Sequence, residues 1–262
     1  MFTLKEFYGV IDQIAPLDYS KKMIERGAYD NSGILVRASD KADKILFALD
    51  LTIKCVERAK RLGCNLIVTH HPAIYAPLKE LSTFETDGAV SLALKYGMNV
   101  ISMHLNLDVA ENGIDHCLAK GLGAESYEIL DKISDGVGYG RKFSIEEQTF
   151  LDFIGKIKKQ FNTTKVLAYG KKTGKISTIA SFCGSGASEA INEIKKGLEC
   201  DVIVTSDIAH HELKQLIEAG KYIVILTHYA SENYGFYKFF EQVKSKLDGL
   251  ATMIYMDDVR FK

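Results

Sequence analysis

"ILFALDLTIKCVERAKRLGCNLIVTHHP", residues 45–72, decides the fold. It opens on a compact apolar run, ILFALDL (45–51), passes through an amphipathic segment, VERAKRLG (56–63), that stops at Gly63, and returns to an apolar run, NLIVTH (65–70). A glycine closing a helical stretch just before a β run is the usual punctuation of a β–α–β unit. The same order continues outward with the helix VSLALKYG (90–97) and the strand NVISMHL (99–105). An α/β fold with a mostly parallel sheet is therefore expected.

The stretch 131–148, DKISDGVGYGRKFSIEEQ, breaks this rhythm with three glycines and no apolar period, and reads as a linker or domain edge. Beyond it come the helix FLDFIGKIKKQF, the β runs VLAYG and KISTIASFC, the helix SEAINEIKKG and the strand DVIVTS. HHELKQLIEAG and KYIVILTH make another helix–strand pair, YGFYKFFEQVKSKL a terminal helix and TMIYMD a last strand. LIVTHH and VIVTSDIAHH echo each other as β–α crossings with polar residues at the strand end, where open α/β sheets bind ligands.

Composition narrows the classes. At 262 residues, 47% hydrophobic and 26% charged, the chain has room for one large domain or two small ones. A net charge of -1 gives no basic field for nucleic acid or an anionic membrane. Cys55, Cys64, Cys117, Cys183 and Cys200 are dispersed without CxxC spacing, which fits thiols in a reducing cytosol better than a disulfide framework. The start, MFTLKEFYGVIDQIAP, is helix-like rather than a signal peptide, and no apolar run approaches the roughly 18 residues of a membrane span. A soluble, cytoplasmic protein is expected.

The chemistry concentrates in the seven histidines. His70 and His71 end one strand ahead of Pro72; His104 ends the next, with Asp108 four residues on; His228 ends IVILTH, with Glu232 four residues on. Adjacent strand residues point in opposite directions, so His70 and His71 suit two neighbouring ions, one each, unless Pro72 turns the chain. Asp108 and Glu232 would supply bridging or terminal carboxylates, and His228 and Glu232 would share a helix face. Imidazoles with carboxylates suit Zn, Fe, Mn or Co. The plainer reading of a single strand-end histidine is a hydrogen-bonded structural group, and it applies to His104 taken alone and to His116 at helical spacing. Two adjacent imidazoles need partners at some cost, which favours function for His70 and His71. His210 and His211 open an amphipathic helix, and a solvated or anion-contacting helix start explains them as well as a metal does. FCGSGASEAINEI (182–194) is a weaker candidate: Gly184, Ser185 and Gly186 could present N–H groups to a phosphate, or form a tight turn with Ser188 as N-cap.

YDNSGILV, ILFALDLT, IVTHHPAIY, MHLNLD, FCGSGAS, VTSDIAHHEL and THYASE stand in the order seen in the Nif-three-like family, which this chain resembles from about residue 29 to 235. Members often carry the name GTP cyclohydrolase 1 type 2 homolog, or dinuclear metal centre hexameric protein. The resemblance implies two α/β lobes with mixed sheets around a dinuclear metal cleft: residues 1–128 with 227–262 as one lobe and 129–226 as the other. It also implies a toroidal homohexamer. The family's metal ligands fall on His70, His71, Asp108, His228 and Glu232, for two divalent ions per chain. His104 matches a histidine near the metals, an orienting neighbour or an occasional ligand, and is the candidate catalytic group, with the region of His211 as another proton carrier or anion contact. The chain departs from the family in reading TSD (205–207) where TG is common, and it has no room for the extra domain of longer relatives.

These features lead to a metal-dependent hydrolase of a nucleotide-like or phosphorylated small molecule, with purine ring opening as the specific version. The rival class is a non-enzymatic metal-binding ring with a regulatory or scaffold role; a third is metal storage or delivery. Nucleic acid has no motif or basic stripe to support it.

Overall fold

The computed structural model describes residues 2–82 and 88–258. The chain starts with α1 (Leu4–Ile14), α2 (Leu17–Glu25), β1 (Gly33–Val36), β2 (Lys44–Ala48), α3 (Ile53–Leu62), β3 (Leu66–Thr69), α4 (Gly88–Lys95) and β4 (Asn99–Ser102). It continues with α5 (Leu105–Val109), α6 (Ile114–Gly121), β5 (Glu128–Ser134), β6 (Val137–Thr149), α7 (Phe150–Gln160), β7 (Val166–Tyr169) and β8 (Lys175–Ser181). The last elements are α8 (Ala187–Lys195), β9 (Val202–Thr205), α9 (His210–Glu218), β10 (Tyr222–Leu226), α10 (His228–Lys246) and β11 (Thr252–Met256). They form two compact units, Met1–Leu107 with Phe236–Asp258, and Asp108–Gly235. The divisions fall at 107/108 and 235/236, where the sequence reading places them at 128/129 and 226/227. α6 packs on β6 and β8, which draws the segment after residue 108 into the second unit.

In the first unit, five strands lie in the order β1-β4-β3-β2-β11. β11, β2, β3 and β4 are parallel neighbours and β1 is antiparallel. Alternation along β2 sends Leu46 to one face and Phe47 to the other. Leu46, Ile67 and Val100 pack with Val56 and Ala59 of α3 and with Ala93 of α4. Phe47 meets the rings of Phe236, Phe239 and Phe240 at centroid distances of 6.2, 6.2 and 5.2 Å. With both faces covered, the strands can be apolar throughout, and β3 is buried at every residue. α3 starts because Thr52 accepts the Cys55 N–H at 3.0 Å and stops because Gly63 takes the left-handed conformation at φ 70°.

In the second unit, six strands lie in the order β5-β6-β8-β9-β10-β7. β8, β9 and β10 are parallel, while β5–β6, β6–β8 and β10–β7 are antiparallel, so this sheet too is mixed. Ala180, Ile203 and Ile223 pack with Ala190 of α8 and Leu216 of α9. The expected linker at 131–148 is instead a hairpin, with Asp131 opposite Tyr139 and Lys132 opposite Gly138. Gly136 takes the left-handed conformation at φ 71°, and the other two serve close approach: a Cβ on Gly138 would lie 2.3 Å from the Asp131 carbonyl oxygen, and one on Gly140 2.6 Å from the Phe182 ring. No described helix is long and apolar enough to cross a membrane.

Candidate metal centre

Strand register in the first unit sets the stage. Ala48 pairs with Thr69 and Thr69 with Ser102, so the carboxyl ends of β2, β3 and β4 are level. Asp50, His70, His71 and His104 all lie one or two residues past that edge. β3 stops at Thr69, and the N–H groups of His70 and His71 both turn back to the Leu49 carbonyl at 3.1 Å. The Thr69 hydroxyl donates to the His71 carbonyl at 2.8 Å and closes the bend. The expected opposition of adjacent strand side chains therefore does not apply. The two imidazoles lie past the strand with centroids 4.9 Å apart, and His104 is 5.2 Å from His70 and 5.9 Å from His71.

Each ring nitrogen Nδ1 has an oxygen partner. His70 Nδ1 is 2.8 Å from the Met103 carbonyl, His71 Nδ1 2.7 Å from Asp50, and His104 Nδ1 2.7 Å from Asp30. Carbonyl and carboxylate oxygens only accept, so Nδ1 donates in all three rings, and Nε2 is the atom that a neutral ring offers to a ligand. Asp30 is itself fixed. Burial works to raise its carboxyl, but bonds from His104, Ser20 and Ser32 outweigh that and hold it below the ordinary aspartate value.

The second unit repeats the device. β8, β9 and β10 run parallel, and Gly184, Asp207 and His228 follow their carboxyl ends. His228 Nδ1 is 2.7 Å from Asp207, again a proton on Nδ1, and His228 Nε2 converges with Glu232 Oε1 at 3.0 Å. α10 begins at His228, so the i and i+4 residues share one face of its first turns. Gly184, at φ +57°, is packed against this pair: a Cβ there would lie 2.5 Å from Glu232 Oε1 and 3.4 Å from the His228 ring.

Asp108 sits in the short α5, where the Cys183 thiol donates to its Oδ1 at 3.7 Å. Burial, together with the charges of Asp108, Asp115 and Glu232, pushes Cys183 well above the usual thiol range, so the sulfur keeps its proton. The Cys183 N–H donates to Asp115, whose other oxygen lies 3.0 Å from the fully buried Arg141. The 183–186 turn is thus anchored internally. The Gly184 N–H goes to Ser231 and the Gly186 N–H to Thr205, while Ser185 donates to Asp207 and Ser188 to Glu212. The cap of α8 is Gly186 rather than Ser188, and His211 is exposed on α9. His116 sits apart from these groups, with Nδ1 2.6 Å from the Tyr127 hydroxyl. Burial, with the nearby charges of Arg141 and Lys120, pushes it down to about 4.

In the first unit His70, His71 and His104 carry donor atoms that could hold a metal ion, and in the second Asp108 and Glu232 do. The donor chemistry fits such an ion, because an imidazole whose Nδ1–H is held by a carboxylate or carbonyl presents Nε2 in the orientation a metal needs. The sequence reading names the histidines and not the groups that orient them: Asp30, Asp50, Asp207 and the Met103 carbonyl. YDNSG, ALDLT and VTSD all carry these aspartates in plain view, yet nothing in those strings says which histidine each one meets.

Comparison with known proteins agrees with the architecture. Residues 2–258 match the family model described as Duf34/NIF3 (NGG1p interacting factor 3). A Clostridium perfringens protein named GTP cyclohydrolase 1 type 2 homolog is 31% identical over 262 residues, covering 98% of this chain and 97% of its own. The crystal structure of a Staphylococcus aureus hypothetical protein superposes with a TM-score of 0.85 at 22% identity, covering 98% of this chain and 97% of that one, a likeness of fold. Reduced HcgD from Methanocaldococcus jannaschii gives a TM-score of 0.79 at 26% identity, over 98% of both chains. The chain belongs to the Duf34/NIF3 (NGG1p interacting factor 3) family.

Proposed function

We propose that this protein is a dinuclear metal-dependent hydrolase of a nucleotide-like or phosphorylated small molecule. His70, His71, Asp108, His228 and Glu232 are the residues that would hold two divalent ions of Zn, Fe, Mn or Co. One observation carries the reading: four imidazoles, His70, His71, His104 and His228, each commit Nδ1 to an oxygen acceptor at 2.7–2.8 Å. A structural histidine has no need of a repeated tautomer, whereas a metal site does. When bound, the ions supply Lewis acidity toward a carbonyl, phosphoryl or water oxygen.

The chain's own groups do the rest. Asp50 and Asp207 orient His71 and His228 and offset the positive charge brought to the site. His104 is partly accessible and backed by Asp30, so its Nε2 is suited to take a proton from the attacking water, with the Asp30 carboxylate stabilising the imidazolium formed. The name carried by the C. perfringens relative makes GTP the first substrate to try. Hydrolytic opening of its imidazole ring would release formate.

Elemental analysis of untagged protein, with a screen of nucleotides and phosphoesters, tests this reading. We expect about two ions per chain, lost in His70→Ala and Glu232→Ala, and hydrolysis of at least one compound that His104→Ala slows by about 10²–10⁴-fold. Less than one ion per wild-type chain, or turnover indifferent to His104, refutes it.

A further inference from the structure

The geometry points to Tyr29 and Tyr75 as an aromatic platform that stacks the planar ring of the substrate, a subsite of the first unit that gives preference to nucleobase-bearing ligands. It rests on the metal-site reading above and specifies the ligand class. Among the described phenylalanines and tyrosines, these two alone are more than half exposed, Tyr29 at 53% and Tyr75 at 56%, and they touch each other. Their rings meet at 5.0 Å and 63°, an edge-to-face corner with both residues more than half open to solvent. A flat heterocycle fits such a corner by stacking on one ring and meeting the edge of the other.

The pair is held in place. The Tyr29 hydroxyl donates to the Tyr75 carbonyl oxygen, and the Asn31 amide donates to the Ile74 carbonyl at 2.6 Å, so two separate backbone segments are cross-tied. Leaving two aromatics this exposed while fixing them this firmly costs conformational entropy with little burial in return, unless a ligand covers them.

Both segments are those that carry the imidazole cluster. Tyr29 immediately precedes Asp30, the buried partner of His104, and faces outward where Asp30 faces inward. Tyr75 is four residues past His71, a span that cannot exceed roughly 14 Å even if fully extended. A nucleotide reaches across such a distance, with its base on the tyrosines and its phosphates toward the histidines, the pose for hydrolysis at a phosphate rather than for opening of the base.

The test is equilibrium binding of guanosine, GTP and ribose 5-phosphate to metal-loaded full-length protein, with metal content measured on the same samples. In Tyr75→Ala and Tyr29→Ala we expect guanosine and GTP to bind about 5- to 100-fold more weakly, with metal content and ribose 5-phosphate affinity unchanged. Tyr75→Phe should stay within about twofold of wild type, because the residue contributes its ring and its carbonyl rather than its hydroxyl. Metal-loaded protein whose guanosine affinity ignores both alanine substitutions, or that binds no guanosine, overturns the platform and leaves the metal centre standing. Protein that takes up no metal yet binds guanosine through the tyrosines refutes the metal reading and supports the platform.

Discussion

At Asp207, exchanging one carboxylate oxygen for an amide nitrogen keeps the shape of the contact to His228 while removing its charge. Partners of this kind are commonly worth 10- to 100-fold in metal affinity. We expect Asp207→Asn to weaken Zn or Mn binding about 10-fold and Asp207→Ala by nearer 100-fold in calorimetric titration, with unchanged far-ultraviolet dichroism. Gly184→Ala is a harsher change. The added carbon meets Glu232 Oε1 at 2.5 Å, and the backbone sits at φ +57°, so we expect a loss of about 1–3 kcal/mol in denaturant unfolding together with loss of metal. His116 makes a prediction about pH. Burial, then the charges of Arg141 and Lys120, lower it from 6.5 to about 4 in the folded chain. The unfolded chain therefore takes up a proton near pH 6.5 that the folded chain refuses until about 4. Its contribution to stability is complete above pH 6.5 and is lost as pH falls toward 4. Unfolding midpoints measured between pH 7 and 5 should fall for wild type and fall less for His116→Gln.

Among the elements, the apolar stripe of α3, its glycine stop and the strands on either side are legible in the sequence, while its start at Ile53 lies three residues ahead of the expected segment. Thr52→Ala removes the acceptor for the Cys55 N–H and should cost about 1 kcal/mol in urea unfolding. The β5–β6 hairpin was not readable, because glycine in a sequence signals freedom and tight contact equally. At Gly138 it is contact, with a backbone oxygen in the place of the missing side chain, and at Gly140 it is both, with φ at +73° and the Phe182 ring in that place. The site divides in the same way. Histidines after β runs announce themselves through strand patterns of a few residues, and His228 and Glu232 through helical spacing. Their orienting aspartates do not, since Asp30 is 74 positions from His104 and Asp50 and Asp207 are each 21 from their partners. Such pairings are products of strand order, which no local pattern contains. The directions of His70 and His71 were misjudged for a related reason. β3 ends at Thr69, so strand alternation does not extend to His70 and His71, one and two residues beyond it.

For the whole molecule, metal removal is the broadest test. Ions that bind only the folded state stabilise it by mass action, so chelation should lower the thermal midpoint, and readdition of Zn or Mn should restore it. The proposed homohexamer predicts a light-scattering mass six times that of the 262-residue chain. The level ends of β2, β3 and β4 carry a further consequence. A parallel sheet with its register fixed by Ala48, Thr69 and Ser102 measures length, at about 3.3 Å for each residue. Deleting one residue from any of these strands would withdraw its donor group by that amount and reverse its inward and outward faces. The opposite edge delivers no donor group, although Asn65 and Asn99 tie it to the segment 38–44. Insertions and deletions should therefore be filtered by the end of the strand they fall on, tolerated where the strands begin and excluded where they deliver Asp50, His70, His71 and His104.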